Sequence, residues 1–153
     1  MPEGGERDAV KRTVGKEEEK RHRVEDQVAN SPKVEWYVGK TSGFAEGDRK
    51  VFQVGDREVG VFRRNGLLYA YENLCLHQGG PVCEGLIIGK VEPIVAGDQR
   101  IIGERFSDDE VHIVCPWHGY EYDIETGACT TDRRLRLRSY EVVQRGEDVY
   151  VLE

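Results

Sequence analysis

The chain has 153 residues, about one domain's length, with 38% apolar and 33% charged residues and a formal net charge of −7. That balance disfavours nucleic acid, whose binding rests on neutralising phosphates, and suits a partner with a basic docking patch. No run of about 18 apolar residues is present to span a membrane, and the N-terminus lacks the apolar stretch of a secretory signal, so a cytoplasmic location is expected.

In chain order, residues 1–33 carry 8 Lys and Arg against 8 Asp and Glu with almost no apolar run. Such a segment buries too little surface to offset its ordering entropy, and a disordered charged tail is expected. The net charge then falls on residues 34–153, with 14 basic and 21 acidic side chains. Strand-like runs begin at Val34 to Val38. Val51 to Val54 leads into the turn Gly55-Asp56, and Arg57 to Arg63 follows. Asn65-Gly66 marks a hairpin returning through Leu67 to Tyr71. Residues 75–85 and 115–123 read as loops rich in chemistry. Between them, residues 86–110 are expected to be loops around one or two short strands, such as Ile87-Ile88 or Arg100 to Ile102. Val111 to Val114, Tyr120 to Asp123, Leu135 to Arg138, Tyr140 to Gln144 and Val149 to Leu152 read as the remaining strands. No convincing helical period appears over 34–153, and short strands at close spacing predict an antiparallel, all-β domain.

Two boxes carry the chemistry: Cys75-Leu76-His77 and Cys115-Pro116-Trp117-His118-Gly119. Each supplies one thiolate and one imidazole. Four cysteines without an export signal point to metal ligation more than to disulfides. Two Cys and two His suit a 2Fe–2S centre in which two His replace two Cys on one iron. Two ferric ions, two sulfides and four thiolates would sum to a dianion, whereas two thiolates and two neutral imidazoles leave the centre uncharged. A neutral centre accepts an electron more readily, so mixed ligation raises the potential to roughly −150 to +300 mV. The alternative is zinc, which accepts the same donors but usually at other spacings. A four-cysteine cluster drawing on Cys83 and Cys129 would leave both histidines unused.

Cys75-x-His77 with Cys115-x-x-His118 in a Cys-Pro-Trp-His-Gly box resembles the Rieske 2Fe–2S ferredoxins, over about Val34 to Leu152. The resemblance implies a Rieske-like antiparallel β-sandwich or barrel with a small cluster-binding subdomain. It implies one 2Fe–2S cluster per chain, with Cys75 and Cys115 on the inner iron and His77 and His118 on the outer. The implied function is one-electron transfer from a flavin-dependent reductase to a terminal ring-hydroxylating oxygenase. A small Rieske subunit of a multi-subunit oxidoreductase, such as nitrite reductase, and a redox-sensing or adaptor module are the alternatives. Three departures stand out. The stretch from His77 to Cys115 is longer than the family usually shows, the excess falling in residues 86–110, either a passive loop or a partner-contacting flap. The bracing disulfide of the respiratory branch is absent, so Cys83 and Cys129 are expected to be free thiols. The Ser that follows the second box in the high-potential branch is Tyr120 here, while Tyr122 keeps the later tyrosine, which places the expected potential low in the Rieske range.

Trp117 is either packing that shields the cluster or a docking anchor. Arg134, Arg136 and Arg138 alternate with Leu135 and Leu137, so a strand there would turn Leu inward and Arg outward. That arginine row is either a solvated face or a steering surface for an acidic partner. Gly39-Lys40-Thr41 lacks the first glycine of a phosphate loop, and no G-x-G-x-x-G occurs, which argues against nucleotide cofactors. His22 falls in the tail and His112 on a strand, expected to be structural. No second pair of histidines on a folded element remains for the mononuclear iron of an oxygenase, so no side chain is assigned a catalytic role.

Overall fold

A computed structural model describes residues 9–13 and 32–153. Among the described residues, ten strands make two antiparallel sheets: β1 (Val10–Thr13), β2 (Val34–Lys40), β3 (Arg49–Val54), β4 (Arg57–Arg64), β5 (Leu67–Glu72), β6 (Leu86–Val95), β7 (Ile101–Val114), β8 (Glu121–Asp123), β9 (Ser139–Arg145) and β10 (Asp148–Leu152). Seven of them follow the order β1-β2-β10-β9-β5-β4-β3, and the other three the order β6-β7-β8. Ala9, just before β1, donates its N–H to the carbonyl of Gln53 on β3 at 3.2 Å. That bond joins the two edges of the seven-stranded sheet and nearly closes it into a barrel.

The expected strands appear where alternation is clean. β4 shows why: Val59 and Val61 enter the barrel core with Phe52, Val54, Val149 and Val151. Phe62, on the opposite face of β4, enters a second core with Tyr71, Cys83, Ile113, Tyr122 and Leu137. A strand buried on both faces joins the barrel to the three-stranded subdomain. Gly60 makes this fit possible, since a Cβ there would lie 2.5 Å from Cys83 Cβ.

Three expectations are corrected. Residues 86–110 are not loops around short strands. They form most of a long hairpin, with β6 and β7 paired from Leu86↔Val114 to Val95↔Ile101. The residues that look like breakers are absorbed by irregularities. Gly89 sits at a register shift, where a Cβ would lie 2.2 Å from the Ser107 carbonyl, and Pro93 lies on an edge strand, which tolerates a missing N–H. Leu135 to Arg138 is not a regular strand either; it makes one isolated bridge, Ala128↔Arg136, with Leu137 buried and Leu135 exposed. Within the expected tail, Val10–Thr13 pairs along β2. Residues 1–8 and 14–31, which include His22, lie outside the described residues.

Candidate iron–sulfur site

The two boxes are loops at the end of the subdomain, and they share one backbone plan. In the first, Cys75 donates its N–H to the Gly80 carbonyl at 2.8 Å, and Gly79 donates to the Cys75 carbonyl at 2.9 Å. In the second, Cys115 donates to the Tyr120 carbonyl at 2.8 Å, and Gly119 to the Cys115 carbonyl at 3.0 Å. Gly79 and Gly119 hold φ of +77° and +72°, the left-handed region open to glycine. The histidine spacings differ, yet each loop places its glycine four residues after its cysteine.

These loops bring all four sequence-predicted residues together. Cys75 and Cys115 are buried and their thiols are within hydrogen-bonding reach of each other. His77 and His118 are exposed, with ring centroids 4.9 Å apart and planes at 89°. The first loop closes tightly over the second: a Cβ on Gly80 would lie 3.0 Å from Cys115 Sγ and 2.8 Å from Trp117 Cγ. The stems are equally close, because a Cβ on Gly85 would lie 1.6 Å from the Val114 carbonyl oxygen.

Donors converge on the sulfurs. Burial pushes the Cys115 thiol pKa up, while the N–H groups of Trp117 and His118 pull it down. Those two N–H groups favour the thiolate, the form that binds metal. Tyr122 Oη lies 3.3 Å from Cys75 Sγ and accepts the Leu76 N–H at 3.2 Å. With Leu76 as its donor, the Tyr122 hydroxyl has its proton to give to the sulfur. Tyr120 makes no contact of that kind. Its ring stacks on His77, centroids 4.3 Å apart and planes at 9°. The loss of the serine donor was legible in the sequence; the stacking was not.

Two buried sulfurs with N–H and O–H donors, facing outward to two exposed imidazoles, fit a 2Fe–2S group with mixed ligands. The remaining cysteines do not belong to this set. Cys83 sits under β4, and burial pushes its thiol up to about 12. Cys129 Sγ lies 3.3 Å from Thr131 Oγ1. All four cysteines are free of disulfides.

His112 is structural. Its Nδ1 lies 2.9 Å from Glu121 and its Nε2 3.0 Å from Glu110, and Lys90 reaches Glu110 at 3.0 Å. This network holds β6, β7 and β8 in register just behind the second box. Among the described residues, no helix is long and apolar enough to cross a membrane.

The Rieske [2Fe-2S] domain matches residues 35–141. A human Rieske domain-containing protein is 32% identical over 90 residues, 59% of this chain and 46% of that protein; the chain thus spans less than half of that relative. The ferredoxin component of the alkene monooxygenase system of Xanthobacter autotrophicus (strain ATCC BAA-1158 / Py2) is 24% identical over 106 residues, 69% of this chain and 70% of that one. Among solved structures, the ferredoxin of carbazole 1,9a-dioxygenase from Nocardioides aromaticivorans IC177 aligns with a TM-score of 0.51 at 26% identity, covering 75% of this chain and 95% of that one. A complex of reduced oxygenase and oxidized ferredoxin in carbazole 1,9a-dioxygenase aligns with a TM-score of 0.55 at 24% identity, covering 76% of this chain and 91% of the matched one. The fold is also that of a putative NADH-dependent nitrite reductase small subunit from Mycobacterium tuberculosis, with a TM-score of 0.59 at 16% identity, covering 80% of this chain and 97% of that one. The domain match takes in both ligand loops and most of the strands, and the chain therefore belongs to the Rieske [2Fe-2S] domain family, which binds a 2Fe–2S cluster.

Proposed function

We propose that this chain is a Rieske ferredoxin, a one-electron carrier between a flavin-dependent reductase and a terminal oxygenase in the cytoplasm. Cys75 and Cys115 hold the inner iron, and His77 and His118 the outer. The bound cluster supplies reversible one-electron chemistry. The chain's own residues do the rest: Tyr122, Trp117 and His118 offer hydrogen-bond donors to the sulfurs. Burial of both cysteines excludes water from the inner end, and exposure of both histidines gives a partner a short path to the outer one. The observation that carries the reading is this asymmetry, with two thiols buried and two imidazoles exposed at one end of the molecule. The ferredoxin relatives support the carrier role over that of a resident subunit, and all four candidate ligand residues are present.

The test is spectroscopic and kinetic. Anaerobically purified protein is expected to contain two irons per chain. Its reduced EPR spectrum should have the low average g value of mixed nitrogen and sulfur ligation. Replacing His77 by Cys should alter that spectrum. Zinc in place of iron, or an all-cysteine spectrum in the unaltered chain, would refute the ligand assignment. Failure to accept electrons from any flavin-dependent reductase would refute the carrier role.

A further inference from the structure

The acidic balance of the chain suggests a partner with a basic patch, but the segment that joins the stems of the two ligand loops is rich in arginine. Thr130 donates its N–H to the Glu121 carbonyl at 3.0 Å, so residues 128–130 run back along β8 toward Tyr120 and the second box. The chain then turns, with Leu135 donating to the Asp132 carbonyl at 2.9 Å, and the turn projects past Glu121. It returns until the Arg138 carbonyl accepts the Glu72 N–H at 2.9 Å, just before Asn73-Leu74-Cys75. The segment therefore runs from the stem of the second ligand loop to the stem of the first.

Arg133, Arg134, Arg136 and Arg138 are all exposed on it. Arg134 is neutralised by Asp132 at 2.8 Å and Glu72 by Arg57 at 2.9 Å, while Glu121 faces the His112 ring at 2.9 Å; Glu58, which accepts from the Asn73 amide at 3.1 Å, and Asp123 make no ion pair among the described residues. Arg136 donates to the Thr126 carbonyl at 3.5 Å, and Arg138 lies over the Tyr140 ring at 5.3 Å. Neither partner carries charge, and Arg133, Arg136 and Arg138 make no ion pair among the described residues. Within residues 73–85 the sole carboxylate is Glu84, and residues 115–120 contain none. Around the histidines, Leu74, Leu76, Pro116 and Trp117 form an exposed apolar rim.

We propose that the Arg133–Arg138 segment and this apolar rim form a docking face for a redox protein whose own contact surface is apolar at its centre and acidic at its flank. The proposal rests on the carrier reading above. Opposite charge at the flank steers the encounter and fixes its orientation, while the apolar centre supplies the contact. The negative remainder of the body then turns away from the same acidic partner, which adds to the orientation.

The test uses charged probes on the holoprotein. Reduced protein is mixed with ferricyanide, an anion that takes one electron to become ferrocyanide, and separately with the cation tris(phenanthroline)cobalt(III), which takes one electron to become cobalt(II). As ionic strength rises and screens the field, the ferricyanide rate is expected to fall several-fold and the cobalt rate to hold or rise. Governance by the whole-chain charge would give the reverse and overturn the proposal. The triple variant R133E/R136E/R138E should invert both salt slopes, R133Q/R136Q/R138Q should flatten them, and R105E on the distal hairpin should leave them unchanged. A second readout needs no electron transfer: hexacyanochromate(III), added to isotopically labelled protein, should broaden amide signals of residues 131–138 before others. Broadening centred elsewhere sinks the docking face even if the cluster is present. Broadening at 131–138 in a protein that proves to hold no such cluster leaves the face standing and removes only the carrier reading.

Discussion

Tyr122 does two jobs with one oxygen: it accepts the Leu76 N–H and stands within bonding distance of Cys75 Sγ. A donor to a ligand sulfur stabilises the reduced state more, because that state carries the extra negative charge. Y122F is therefore expected to lower the midpoint potential by about 20–60 mV. That range follows from a hydrogen bond to a charged group being worth roughly 1.5–3 kcal/mol in total, only part of which differs between oxidation states, and from 59 mV per tenfold for one electron. A potentiometric titration checks it; an unchanged or raised midpoint would show that the hydroxyl does not act on the sulfur. By the same logic the unaltered protein is expected to titrate low in the Rieske range, since Tyr120 stacks its ring on His77. The four candidate ligands and the missing serine were legible because each is a residue type at a spacing. The stacked ring was not, because nothing in the spacing tells a side chain which way to turn.

At the scale of elements, the β6–β7 hairpin is the feature most unlike the sequence-based picture. Its inner part is structural: Ile87, Val111 and Ile113 pack into the core beneath the cluster end, and Gly85 lies against Val114. Its outer part is not, since Val91, Val95, Ile101, Ile102 and Phe106 are exposed. Replacing residues 92–105 by Asn-Gly keeps Val91↔Phe106 as the last pair and gives it a turn suited to a two-residue hairpin. That variant is expected to retain the visible and EPR spectra of the cluster and to shift stability by no more than about 0.5 kcal/mol, as surface changes usually do. Loss of cluster incorporation would show that the outer arm braces the site. Residues 86–110 resisted reading because strand pairing is non-local. Gly89 and Pro93 look like breakers until a partner strand supplies the register shift and the free edge that accommodate them. The arginine row erred the other way: its alternation suggested a strand, but with a single bridge there to pair it, only Leu137 is drawn inward.

For the whole molecule, the consequential contact is β4 between two cores. Gly60 lets the turn carrying Cys83 dock on that strand, so barrel and subdomain share one layer of side chains. G60A is expected to destabilise the fold by about 1–3 kcal/mol, the usual cost of forcing a methyl into a packed site. In denaturant titration, tryptophan fluorescence and loss of cluster absorbance should shift together. A cluster signal that moves alone would show that the two parts unfold independently.

The sequence by itself determined the all-β class, the positions of the clean strands and which two Cys–His boxes carry the candidate cluster residues. Alternation and ligand spacing are local properties, written within a few positions of one another. Tertiary structure alone decided that the long insertion is a hairpin, that Tyr120 lies on His77, and that three arginines without an ion pair among the described residues lie on the segment joining the ligand-loop stems. Each of these depends on which distant strand lies alongside, a matter settled by burial and register over the whole chain. For the same reason the net charge was an incomplete guide to a partner: charge counts add over the sequence, whereas a field acts where side chains are gathered.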